Sequence, residues 1–235
     1  MASSAGYKQK LMERGVPEDK IEIIYNWCDE SQIVPVKKDP KLAEELKMAD
    51  KFNIVFAGNI GKPQALGAVL EAANILAADC PRVQFLFFGG GVEVNGLKQK
   101  AANMRLKNVL FYERRPLSRV GAILSLADVL LVHLKDEPNY RITVPGKTQA
   151  YLAIGRPILA AVGGDANELV ARAKAGLTCE PEDSRGIAEA VRKFQAMSQA
   201  ELDAMGANGK MFYERELSFA IAVEKYERVF EAVVK

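Results

Sequence analysis

Three cysteines, Cys28, Cys80 and Cys179, and one histidine, His133, are all that the 235 residues hold of thiol and imidazole. The cysteines lie far apart with no paired spacing, which excludes a metal knuckle and a disulfide framework and fits a reducing, cytoplasmic setting. No Asp-x-Asp pair and no cluster of His, Cys and carboxylates has metal-ligand spacing, so neither a metal nor a cofactor is expected. Net charge is also scarce. Lys and Arg number 32 against 30 Asp and Glu, a formal +2, which leaves no basic stripe for a phosphate backbone and excludes a nucleic-acid partner. The first thirty residues lack an apolar export core. The longest apolar stretch, Val120 to Leu134, is broken by Asp128 and falls short of the ~20 residues that span a bilayer. Peripheral membrane contact through a further domain stays open. Repeats and low-complexity tracts are absent.

What is present is an ordinary globular composition, 49% hydrophobic and 26% charged, enough for one large domain with attached segments. From Phe52 onward short apolar runs alternate with helical patterns. The runs are Asn53 to Gly58, Val83 to Gly89, Asn108 to Tyr112, Asp128 to Leu134, Pro157 to Val162 and Gly176 to Pro181. Such alternation predicts an α/β fold, a doubly wound Rossmann-like parallel sheet of about six strands with helices on both faces. Pro116 suits the first position of one helix, and Asp165 suits the cap of another. The division expected is a linker segment over 1–52, with a short helix and a strand at Lys20 to Asn26, a Rossmann-like domain over 53–200, and C-terminal helices over 201–235. The last helix carries Phe219, Val223, Tyr226, Phe230 and Val234 on one stripe that needs a cover.

In doubly wound folds ligands bind beyond the carboxyl ends of the strands, so the loops there are the candidates. Gly58, Asn59, Gly61, Lys62 and Gln64 form a turn between a strand and a helix, where backbone N–H groups can meet a phosphate; a tight turn without a ligand is the alternative. For Gly89 to Gly91, relief of backbone crowding is the preferred reading. Arg141, Thr143, Gly146, Lys147 and Thr148 place two cations and two hydroxyls around a Pro-Gly turn at a helix start, which suits a diphosphate, although a solvated helix cap would look the same. Asp136 and Glu137 could accept from sugar hydroxyls or be a surface acidic pair. Arg114 and Arg115 could border a nucleobase, with Arg115 stacking on it, or sit at a plain surface turn. His133 has no nucleophile or carboxylate motif beside it and reads as a satisfied core or rim histidine.

Together these segments resemble the C-terminal, donor-binding half of retaining GT-B glycosyltransferases of family 4, also called group 1. The resemblance covers nearly the whole chain: Gly15 to Glu30 matches the interdomain stretch, Val55 to Leu66 the glycine loop, Phe85 to Ala101 and Asn108 to Leu117 the next two units. Its most specific part, Leu126 to Val162, is similar to a subgroup that builds bacterial surface polysaccharides and carries Pro-Ser-Lys where this chain has Pro145-Gly146-Lys147.

The resemblance implies a nucleotide-sugar donor, usually a UDP-sugar, and retaining transfer of the hexosyl type to a glycan or lipid-linked acceptor. It implies that an acceptor domain precedes residue 1, that the last helix crosses back to it, and that this chain alone is inactive. Lys147 and Arg141 would then stabilise the leaving phosphates. Two departures are visible. The glutamate pair common in the family falls on Ile142 and Ala150, and Gln149 points about 100° away from Ala150. The Arg and Lys of the first glycine loop fall on Asn59 and Gln64. A non-catalytic nucleotide-sugar-binding module and a sugar-nucleotide epimerase are the alternatives.

Overall fold

A computed structural model describes residues 1–234. Six strands form one parallel sheet: β1 (Phe52–Asn59), β2 (Val83–Gly90), β3 (Val109–Tyr112), β4 (Val129–His133), β5 (Ile158–Ala161) and β6 (Gly176–Cys179), in the order β3-β2-β1-β4-β5-β6. The predicted doubly wound sheet is therefore observed. The chain reverses direction across the sheet between β1 and β4, and this leaves a crevice at their carboxyl ends.

The helices are α1 (Ala5–Glu13), α2 (Pro40–Glu45), α3 (Gly67–Leu76), α4 (Val94–Asn103), α5 (Leu117–Leu126), α6 (Pro138–Arg141), α7 (Gly146–Ile154), α8 (Asp165–Arg172), α9 (Ser184–Ala196), α10 (Gln199–Glu216) and α11 (Phe219–Val234). Strand side chains alternate faces with a period of two, so the sheet divides two cores. Ile54, Phe56, Phe85, Phe87, Val129 and Leu131 point to the layer of α3, α4 and α9. Val55, Leu86, Phe88, Leu130 and Val132 point to the layer of α5, α7 and α8. Because both faces are covered, the strands need the uninterrupted apolar runs that the sequence shows.

Three local expectations are corrected. The strand at Lys20 to Asn26 is only an isolated parallel bridge, Ala2 to Ile23. Pro116 is the N-cap residue of α5 and not its first helical residue. Asp165 does not cap its own helix. Its Oδ2 accepts from the Gly6 N–H at 2.8 Å, while Ser4 accepts from Tyr7 N at 3.2 Å, so both satisfy the open N-terminus of α1. Ser4 Oγ also donates to Ile142 O at 2.6 Å, which seats α1 over the α6–α7 connection.

At the other end α11 buries only Ala222. Of the apolar stripe, Phe219, Phe230 and Val234 are exposed, the two phenylalanines at 49% and 58%, while Val223 and Tyr226 are half-buried. Trp27 covers part of Phe219, with ring centroids 5.3 Å apart. Among the described residues no helix is long and apolar enough to cross a membrane.

Candidate functional site

A cavity of about 730 Å³ opens at the crevice. Gly58 and Asn59 of β1 and Gly89 of β2 form its floor, Arg115, Val120 and Ile123 one wall, and Lys147, Ala150 and Tyr151 of α7 the other. At two of the lining glycines the backbones approach closely. A Cβ on Gly89 would stand 1.8 Å from the Gly58 carbonyl oxygen, and one on Gly91 2.3 Å from that of Ile60. The crowding expected over Gly89 to Gly91 is found at Gly89 and Gly91 but not at Gly90, and all three residues line the cavity.

Lys147 is the centre of the electrostatics. It is the second residue of α7, where the free amides and the positive end of the helix dipole face the crevice. Its Nζ is buried and has no hydrogen-bond partner among the described residues. It lies 3.3 Å over the centre of the Phe56 ring and 3.4 Å from where a Cβ on Gly58 would stand. Burial without a counter-ion pulls the amine down to about 7 from 10.5. The Gly58 turn and Lys147, read as parts of one site, are therefore neighbours. On the opposite wall Arg115 Nε is also buried without a partner.

Not all the candidate residues line this cavity. Gly58, Asn59, Arg115, Gly146 and Lys147 do. Gly61 and Gln64 close the turn on each other, Gly61 N donating to Gln64 Oε1 at 2.9 Å, and Lys62 is exposed. Arg141 makes a two-pronged bond with Asp136 at the surface, 2.7 Å from Nε and 2.8 Å from Nη2, and neither residue lines the cavity. That bond holds the Asp136 carboxyl below the ordinary carboxylate range. Glu137 is exposed beside Lys135, Thr143 Oγ1 donates to Asn139 O at 2.7 Å, and Thr148 is buried.

The two family glutamate positions differ in surroundings. Ala150 stands on the cavity wall one turn after Lys147. Ile142 lies under α1, its Cγ2 2.4 Å from where a Cβ on Gly6 would be. Gln149 is buried and does not line the cavity; with its amide oxygen and nitrogen exchanged, the orientation that satisfies both atoms, it donates to Pro145 O at 2.7 Å.

The residues that the loops alone did not reveal come from elsewhere in the chain. Cys28, Asp29 and Ile33 close one side of the cavity. Cys28 N and Sγ each lie 3.2 Å from the Tyr213 hydroxyl, which donates to Glu30 at 2.8 Å, so this stretch is fastened to α10. The one sequence signal for that approach is Gly121 on α5, where a Cβ would stand 2.7 Å from the Val34 carbonyl oxygen.

Comparison with known proteins gives a consistent picture. Residues 51–196 match the family described as glycosyl transferases group 1. Over its full length the chain is 21% identical to an uncharacterized glycosyltransferase of Methanocaldococcus jannaschii and covers 58% of it. Over 155 residues, 65% of the chain, it is 28% identical to WcaI of Escherichia coli, named for glycosyl transfer in colanic acid biosynthesis, and covers 37% of that protein. The Anabaena protein HepE, crystallised with UDP, superposes over 98% of this chain and 63% of its own with a TM-score of 0.84 at 18% identity. The chain thus spans about half the length of the curated relatives it matches.

Proposed function

The chain belongs to the group 1 glycosyl transferases, and on that premise we propose that it forms the donor-binding half of a retaining enzyme. The donor is a UDP-sugar, and the acceptor is a glycan or lipid-linked sugar of a bacterial surface polysaccharide. The carrying observation is Lys147, a buried amine without a hydrogen-bond partner among the described residues, at a helix N-terminus and against a glycine turn. A diphosphate supplies the counter-ion that this amine lacks, and its charge is what the amides and dipole of α7 attract. The UDP in the HepE crystal and the colanic acid role in the WcaI name favour this choice of donor and acceptor.

Transfer breaks the bond from the anomeric carbon to the diphosphate and forms one to the acceptor oxygen on the same face. The acceptor's proton passes to the departing diphosphate. The chain's part is to hold the diphosphate in place and to stabilise the charge that grows on it. Asn59 and Arg115 border the same space, Arg115 at the end suited to a base. Arg141, engaged with Asp136 at the surface, takes a secondary place. The acceptor would be held by a separate domain, onto which the open stripe of α11 would pack; without it this chain binds donor but transfers nothing.

A second reading, a nucleotide-sugar-binding module without catalysis, is favoured by one observation, the absence of a carboxylate at Ala150 and Ile142. Thermal shift against UDP, GDP, ADP and their sugars tests the shared claim, since a ligand at about 100 times its dissociation constant stabilises by about 2.7 kcal/mol. No shift with any nucleotide removes both readings. In a longer chain that contains an acceptor domain, Lys147→Ala should lower turnover far more than it changes folding; unchanged turnover removes the enzymatic one.

A further inference from the structure

We propose that His133 is a positioning residue for the candidate donor site: its imidazole fixes the turn from Gly58 to Gln64 against Lys147. The inference rests on the reading of that site given above. His133 is fully buried at the end of β4. The Glu182 backbone N–H donates to its Nε2 at 3.2 Å, so Nε2 carries no proton. Nδ1 must then hold the ring's proton, and it lies 2.7 Å from the carbonyl oxygen of Gln64, to which it donates. The ring is thereby locked in one neutral tautomer and joins the β6–α9 loop to the glycine turn. Burial, and repulsion from Lys147, both hold its proton affinity below the ordinary histidine value.

The place of attachment matters. Gln64 closes the turn through its side chain on Gly61 N, so the turn moves with it. One further tether comes from the same strand end, Lys135 N donating to Pro63 O at 2.9 Å. Directly after Gln64, Ala65 is held at φ +43°, a left-handed backbone that a non-glycine residue adopts at a cost. An aliphatic side chain could fill the space of the ring, but it could not accept from one backbone group and donate to another.

The test uses three substitutions in the whole chain. His133→Asn can still donate to Gln64 O from near the Nδ1 position, His133→Gln can still accept from Glu182 N, and His133→Leu does neither. The expected result is that the Asn variant binds UDP within about threefold of the parent, whereas Gln and Leu weaken it about tenfold, as loss of one hydrogen bond's worth of positioning requires. Equal binding by all three, or equal weakening of Asn and Gln, overturns the proposal.

A second measurement needs no ligand. His133 is the only histidine, so a long-range proton–nitrogen NMR spectrum reads its tautomer without assignment. A proton on Nδ1, with the Gly61 and Gln64 amides displaced in the Gln and Leu variants but not in Asn, supports the role. A proton on Nε2, or amides that ignore all three substitutions, overturns it. Failure of the parent chain to bind UDP would remove the donor-site reading, while the spectrum still judges whether His133 sets the turn.

Discussion

Two cations that the sequence assigns to one task meet opposite fates in the structure. Arg141 is exposed and doubly bonded to Asp136, so its charge is already answered. Lys147, six residues on, is buried over the Phe56 ring with no hydrogen-bond partner for its amine among the described residues. Sequence distance does not separate them; the backbone does. The turn at Pro145 starts α7 so that Lys147 points into the crevice, whereas α6 ends with Arg141 at the surface. A cation already paired contributes little new attraction to a ligand, because binding must first break or share the existing bond. An unpaired buried ammonium is costly in the empty protein and therefore gains most when an anion arrives.

The largest effect should be seen on replacing the two cations in turn. Lys147→Met is expected to weaken UDP binding about 100-fold, the value of a charge-assisted bond in a buried site, and Arg141→Met about threefold at most. The same Lys147→Met should stabilise the empty chain by about 1–3 kcal/mol at pH 6, since it removes an unanswered charge. Calorimetry of UDP binding and denaturant unfolding check the two halves. Loss of both affinity and stability would mean that the ammonium has a partner after all.

A somewhat smaller effect comes from pH. With its proton affinity lowered to about 7 in the empty site, Lys147 must take up a proton to meet a diphosphate at alkaline pH. The dissociation constant for UDP should therefore rise about tenfold per pH unit above that point and stay level just below it. His133, already neutral, and Tyr151, whose phenol burial pushes upward, do not titrate in that window. For the empty chain the sign is the reverse. The unfolded lysine keeps its proton to about 10.4 while the folded one loses it near 7, so its destabilising charge fades and stability rises with pH between the two. Lys147→Arg, always charged, should flatten the binding curve; a flat curve in the parent chain would show that the amine is already protonated.

How much of this could be read from the sequence depends on the range of the interaction. Strands buried on both faces write themselves as apolar runs, so β1 to β6 were legible to within a residue or two at most ends. The segment from Lys20 to Asn26 has the same β-rich look but finds only Ala2 to pair with, and a run without a partner is not a strand. Asp165 sits where a capping residue should, yet its carboxylate serves Gly6, 159 positions away. The site divides in the same way. Gly58 and Lys147 were legible because a strand end and a helix start are local features. Ala150 was legible as an empty position. Cys28, Asp29 and Val120 reach the cavity only through the packing of α5 and α10 around the linker, and apart from Gly121, which leaves room for the linker backbone, the sequence carries no signal of it. For His133 the satisfied state could be read, but its partners, Gln64 and Glu182, come from two other loops.

The smallest effect is the most direct check on why Arg141 and Lys147 differ. If Arg141 stands aside because Asp136 occupies it, Asp136→Asn should release the guanidinium and strengthen UDP binding by about twofold at low salt, with the gain vanishing at high salt as exposed charges are screened. The substitution keeps the side chain's size and leaves Asp136 N free to donate to Glu182 as before. A tenfold gain would place Arg141 within reach of the ligand once freed and would make its pairing a reserve, restoring it to the phosphate role. No change at any salt would mean that distance, and not the partner, keeps Arg141 out. The site would then hold its diphosphate through the N-terminus of α7 and the glycine turn alone.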